Sequence, residues 1–98
     1  MSTQEKNYVY MLRCGDGSLY TGWTNDLDRR VRCHQDGRGA KYTKAHRPVE
    51  LVYSETFDTR GEAMSREWQI KHMTKEHKEA LVRQGREEAD DTGSSGGR

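Results

Sequence analysis

Two aromatic-rich runs, Tyr8-Val9-Tyr10-Met11-Leu12-Arg13-Cys14 and Ser18-Leu19-Tyr20-Thr21-Gly22-Trp23, stand on either side of Gly15-Asp16-Gly17, and no other feature constrains the fold as strongly. Strand-like runs joined by Gly and Asp read as a β-hairpin. Side chains alternate between the faces of a strand, so one residue more or less in the loop turns one strand over relative to the other. With a two-residue Asp16-Gly17 loop, Tyr10 would oppose Trp23 and Tyr20 would point to the other face. With a three-residue loop of Gly15, Asp16 and Gly17, Tyr10 opposes Gly22 and lies diagonal to Tyr20. Both phenols then share one face, with space left beside them by Gly22. The second register is the expectation.

Beyond the hairpin, Thr24-Asn25-Asp26-Leu27-Asp28 opens a helix, with Asn25 as the expected N-cap and carboxylates in the first turn, where the helix dipole favours them. Leu27, Val31 and His34 recur at the spacing of a buried face, Arg30 flanks that face, and Gly37 and Gly39 stop the helix. Pro48 precedes Val49 to Phe57, whose alternation and β-branched content predict a third strand. A second helix is expected from about Thr59 to Met73, with Ala63, Met64, Trp68 and Ile70 as its apolar arc. Glu67 falls inside that arc. A carboxylate there needs a reason: either an ion pair with Lys71 four residues on or a metal or catalytic role. Thr74 starts a short third helix anchored by Ala80, Leu81 and Val82.

The expected fold is therefore α/β (α+β), a small three-stranded, mainly antiparallel sheet flanked by helices in the order β-β-α-β-α-α. Apolar residues make up 31% and charged residues 34% of the 98, with a mean hydropathy of −1.21, so the core must be thin. Residues 7–84 form the expected domain. Residues 85–98, rich in Gly, Ser, Asp and Glu without apolar pattern, are expected to be a disordered polar tail. No apolar stretch approaches a membrane span, and Met1 to Lys6 lack the order of a secretory signal, which points to a cytoplasmic protein without a membrane partner. Cys14 and Cys33 are too few for a disulfide framework and are expected to be reduced. Because Cys14 and Cys33 do not form a pair at zinc-finger spacing, His34, His46, His72 and His77 are not expected to hold zinc.

The formal charge of +1 hides an uneven distribution. Removing the two basic and four acidic residues of 85–98 leaves 15 basic against 12 acidic residues, a balance of +3, in 1–84. Gly37 to Val49 holds Arg38, Lys41, Lys44, His46 and Arg47, with Tyr42 among them and no carboxylate. Such a run suits a polyanion, although a solvated loop would look the same.

Tyr8-Val9-Tyr10 on the first strand and Tyr20-Thr21-Gly22 on the second resemble the paired signature of the GIY-YIG nuclease superfamily. Arg30 eight residues after Gly22, His34 four later and Glu67 on the next helix extend the resemblance. So do Asp16-Gly17-Ser18-Leu19-Tyr20-Thr21-Gly22 and Gly39-Ala40-Lys41-Tyr42-Thr43, which resemble the small stand-alone bacterial members. Tyr8 replaces the first Gly of the pattern, and Thr21 the central residue of the second tripeptide. The resemblance covers residues 7 to about 84. It implies a metal-dependent endonuclease that hydrolyses phosphodiester bonds in nucleic acid, with DNA of irregular or branched structure in repair or recombination as substrate. With no second domain attached, a partner protein could supply specificity.

The resemblance also implies the roles. Glu67 would be the sole protein ligand of Mg²⁺ or Mn²⁺, Arg30 would bind the scissile phosphate, and Tyr10 and Tyr20 would flank the nucleophilic water, one of them as general base. His34 would orient or accept a proton. Apart from the resemblance, the space left by Gly22 and the charge of the basic loop make Gly22, Arg38, Lys41, Tyr42 and Lys44 the expected substrate-binding residues. Taken singly, the tyrosines and His34 also read as packing residues. Two other functions fit the same chain: a non-cleaving nucleic-acid-binding module and a protein-interaction domain. Metal-dependent nicking separates the first from a nuclease, and salt-sensitive nucleic-acid binding argues against the second.

Overall fold

The computed structural model describes residues 6–94; residues 1–5, read above for a signal, and 95–98, the end of the expected tail, lie outside it. The chain forms β1 (Asn7–Arg13), β2 (Leu19–Thr24), α1 (Leu27–Gln35), α2 (Lys41–Ala45), β3 (Glu50–Phe57), α3 (Arg60–Lys71) and α4 (Lys75–Ser94). The sheet order is β2-β1-β3 and both pairings are antiparallel. This is the α+β architecture anticipated above, with α2 as an added single turn inside the basic segment. That segment is too short for apolar periodicity to have announced a helix.

The hairpin adopts the three-residue loop. Cys14 N–H donates to Ser18 C=O at 2.9 Å, and Gly17 N–H closes the turn on Cys14 C=O at 2.9 Å. Tyr10 consequently pairs with Gly22 and Leu12 with Tyr20. Successive residues of β1 then feed two cores. Val9 and Met11 pack with Ala63, Ile70 and Val82 of α3 and α4, whereas Tyr10 and Leu12 pack with Cys14, Val49, Leu27 and Val31 on the α1 side. β1 is buried from both sides because it is the central strand, which explains why it has no polar alternation.

Helix ends follow local chemistry. The cap of α1 is Asp26, one residue later than expected; its Oδ1 accepts from Arg29 N–H at 3.3 Å, and Thr24 Oγ1 in turn accepts from Asp26 N–H at 3.0 Å. At the other end Gly37 has φ +83, with Gly37 N–H to His34 C=O and Arg38 N–H to Cys33 C=O, the 5→2 and 6→1 bonds of a Schellman motif. Thr59 and Glu62 form a capping box on α3.

The apolar arc expected on α3 is corrected. Ala63 and Ile70 are fully buried, but Met64 is 44% and Trp68 62% exposed. The inward stripe is Ala63, Glu67 and Ile70, at i, i+4 and i+7, so Glu67 turns inward as expected while Met64 and Trp68 do not. α4 also differs from the short helix expected: it runs to Ser94, carrying residues 85–94 of the expected tail as helix. Arg86, Glu87, Glu88 and Ala89 are good helix formers, and helix formation does not require an apolar face. Its first turns are pinned to the hairpin, where Arg13 meets Glu79 in two hydrogen bonds of 2.5 and 2.7 Å and Lys75 Nζ donates to Gly17 C=O at 2.8 Å.

Candidate active site

Four elements converge on one cavity of about 300 Å³, lined by Tyr10 from β1, Tyr20, Gly22, Trp23 and Thr24 from β2, Asn25, Arg30 from α1 and Glu67 from α3. The hairpin register places the two tyrosines together, and the α1 cap sets the turn that brings Arg30 to the rim. Gly22 is required by space: a Cβ there would lie 2.6 Å from the Tyr10 hydroxyl oxygen. Any side chain would displace the phenol.

Tyr10 is 2% exposed and its hydroxyl lies 2.9 Å from His34 Nε2. His34, 1% exposed, has its Nδ1 2.7 Å from Thr43 Oγ1. The Thr43 hydroxyl donates to Ala40 C=O at 2.9 Å, so its proton is already engaged. Thr43 can then only accept from His34, which fixes the proton on Nδ1 and leaves Nε2 bare. Tyr10 is therefore the donor to Nε2. Burial holds the imidazole below the usual histidine range, with Arg30 adding to the effect, so the ring is neutral near pH 7. Burial also raises the Tyr10 phenol well above its ordinary value, reinforced by Tyr20 and opposed by Arg30. The resting pair is a neutral phenol against a neutral imidazole. Gly39 completes the seat, since a Cβ there would fall 2.2 Å from His34 Nδ1.

Glu67 is half-buried, and its Oε2 is 3.4 Å from Lys71 Nζ, so the expected ion pair is present on a carboxylate that also lines the cavity. Its oxygen donor set is of the kind that hard divalent cations take. Among the described residues no group of three His, Cys, Asp or Glu side chains could hold a metal ion, so a cation here would rely on Glu67, solvent and substrate.

Outside the cavity lining, Tyr42 stacks on Tyr20 with ring centroids 6.0 Å apart and donates from its hydroxyl to Ser18 Oγ at 2.6 Å. Lys41 and Lys44 are exposed on α2. The Arg38 guanidinium is tied to Asp36 at 2.8 Å, also in solvent. Nothing in the sequence placed Trp23, Thr24 or Asn25, which line the cavity, in the site, nor Gly39 and Thr43, which seat His34. Gly39 and Thr43 stand inside a stretch that carried the family resemblance, but their task depends on α2 folding back over α1 and no local pattern shows it.

No helix among the described residues is long and apolar enough to cross a membrane. The GIY-YIG catalytic domain model matches residues 6–80. A UPF0213 protein of Staphylococcus saprophyticus is 49% identical over 81 residues, covering 83% of this chain and 99% of that protein. One from Clostridium perfringens is 54% identical over 76 residues, covering 78% and 82%. Two solution NMR structures share the fold. A UPF0213 protein from Bacillus halodurans has a TM-score of 0.52 at 48% identity, over 79% of this chain and 82% of that one. An E. faecalis protein has a TM-score of 0.57 at 38% identity, over 86% and 90%. With three quarters of its length matched by the domain model, the chain belongs to the GIY-YIG nuclease superfamily, beside the small UPF0213 proteins.

Proposed function

We propose that the protein is a metal-dependent endonuclease that hydrolyses phosphodiester bonds in DNA, with branched or otherwise irregular DNA of repair or recombination as the substrate class suggested by family resemblance. The observation that carries this reading is the convergence of Tyr10, Tyr20, Gly22, Arg30 and Glu67 on one cavity from β1, β2, α1 and α3. Glu67 would hold Mg²⁺ or Mn²⁺, which when bound supplies positive charge against the phosphoryl oxygens. Arg30, exposed at the rim, offers a permanently charged planar fork to the same phosphate.

Proton transfer follows from the buried pair. As water attacks phosphorus, its proton passes to the Tyr10 oxygen while the Tyr10 proton passes to His34 Nε2. The P–O bond to the leaving oxygen breaks, and His34 becomes an imidazolium whose Nδ1–H remains bonded to Thr43. This route avoids a free phenolate in a site where burial disfavours one. It also distinguishes the tyrosines, because Tyr10 has an imidazole acceptor and Tyr20 is held by ring contacts to His34 and Tyr42.

The Lys71 contact favours a second reading, a non-cleaving nucleic-acid-binding module in which Glu67 serves the ion pair alone. Cleavage of labelled single-stranded, duplex, flap and junction DNAs with Mg²⁺, Mn²⁺ or EDTA separates the two. Metal-dependent cutting that Glu67→Ala lowers by roughly a hundredfold or more, with folding and DNA binding retained, is the expected result. Binding without cutting by the wild-type protein would establish the second reading, and loss of folding in Glu67→Ala would assign Glu67 to structure.

A further inference from the structure

The two largest exposed apolar side chains of α3 lie on the flank of the helix that borders the cavity. At about 100° per residue, Arg60, Lys71, Met64 and Trp68 follow Glu67 in that order around the helix, moving away from the buried Ala63 and Ile70. Arg66 and Gln69 fall on the opposite flank, where Arg66 pairs with Glu55 at 2.9 Å. The first flank is continuous with the cavity, because the Arg60 guanidinium sits 5.5 Å from the ring centroid of Trp23, a lining residue. Trp68 is held in place by His72, whose ring stacks on it at 4.1 Å and whose Nδ1 bonds to the Trp68 carbonyl at 2.8 Å, yet 62% of the residue stays exposed.

We propose that this flank is a platform for an unpaired nucleotide next to the cleaved bond, with Trp68 stacking the base, Met64 beside it, and Arg60 and Lys71 facing the backbone phosphates. The proposal rests on the nuclease reading and narrows its substrate class to DNA with a single-stranded stretch at the site. Charge complementarity selects this occupant. The other α3 carboxylate, Glu62, turns back to cap Thr59, so the flank beyond Glu67 presents cations and aromatic surface together, the combination that tracks a single strand. Two apolar side chains fall far short of the ~800 Å² per partner of a standard protein interface, which disfavours a second copy as the occupant.

The test is binding in EDTA, where no cleavage is expected. With Trp23 changed to phenylalanine, Trp68 is the sole indole of the two that the chain contains. Titration with an oligodeoxythymidine should then quench its fluorescence saturably. In the otherwise native chain, Trp68→Ala should weaken binding of single-stranded and flap DNA about tenfold or more while leaving blunt duplex unchanged, and Trp68→Phe should recover most of the loss. No quenching, an equal loss on blunt duplex, or self-association that Trp68→Ala abolishes would overturn the platform. Because binding is read without metal, absent quenching beside intact cleavage counts against the platform alone. Quenching without metal-dependent cleavage counts against the nuclease reading alone.

Discussion

The two faces of the central strand differ in how they treat polar atoms. On the α3 and α4 face, Val9 and Met11 meet Ala63, Ile70 and Val82, and the buried Thr21 hydroxyl has no hydrogen-bond partner among the described residues. On the α1 face, Tyr10 and His34 are equally buried, but their hydroxyl and ring nitrogens form an unbroken chain through Thr43 to Ala40 C=O. A buried network this complete is costly to assemble and fixes proton positions, whereas the other face needs only volume. Adjacent residues of one strand thus separate an apolar core from the polar network that the proposed chemistry would use.

The sharpest way to break that contrast is Tyr10→Phe. It keeps the ring and removes the proton, and should slow single-turnover cleavage roughly a hundredfold or more with DNA affinity unchanged; unchanged cleavage would reduce the phenol to packing. Gly22→Ala comes next. Its methyl would meet the Tyr10 hydroxyl, so cleavage should fall about tenfold or more while circular dichroism stays native, and normal cleavage would mean that the phenol's position does not matter. The smallest effect belongs to the other face. Thr21→Val removes an unpaired buried hydroxyl at nearly constant shape and should raise unfolding free energy by about 1 kcal/mol with cleavage unaltered. A destabilised Thr21→Val would reveal a partner for that hydroxyl.

The same contrast explains which features were legible in the sequence. The Tyr10–Gly22 register followed from loop length, because the pleat leaves only two facings and the loop residues choose between them. The α3 arc was misplaced because apolar letters at helical spacing do not reveal which stripe faces inward: Ala63 and Ile70 went in, and Met64 and Trp68 stayed out. The partner of Glu67 was legible as Lys71, since i, i+4 pairing is local. Its cavity neighbours were not, because they come from three other elements, and only the family resemblance linked them. Thr43 was invisible as the group that sets the His34 tautomer, nine residues away and on a turn of helix with no periodic signal.

The proposed relay needs a neutral His34 that receives the Tyr10 proton, and the pH dependence of single-turnover cleavage with Mn²⁺ reads that need. Burial lowers the His34 pKa from its usual 6.5, so the base is available at neutral pH and is lost only as pH falls through the depressed value in the folded protein. Conformational stability should follow the same sense: full above about 6.5, where both folded and unfolded states hold the ring neutral, and declining as pH drops below it. Wild-type cleavage should show an acid limb below the usual histidine range. His34→Gln, which keeps a hydrogen-bond acceptor but no base, should cut roughly a hundredfold more slowly and lose that limb. An acid limb and rate that survive in a folded His34→Gln protein would contradict the relay.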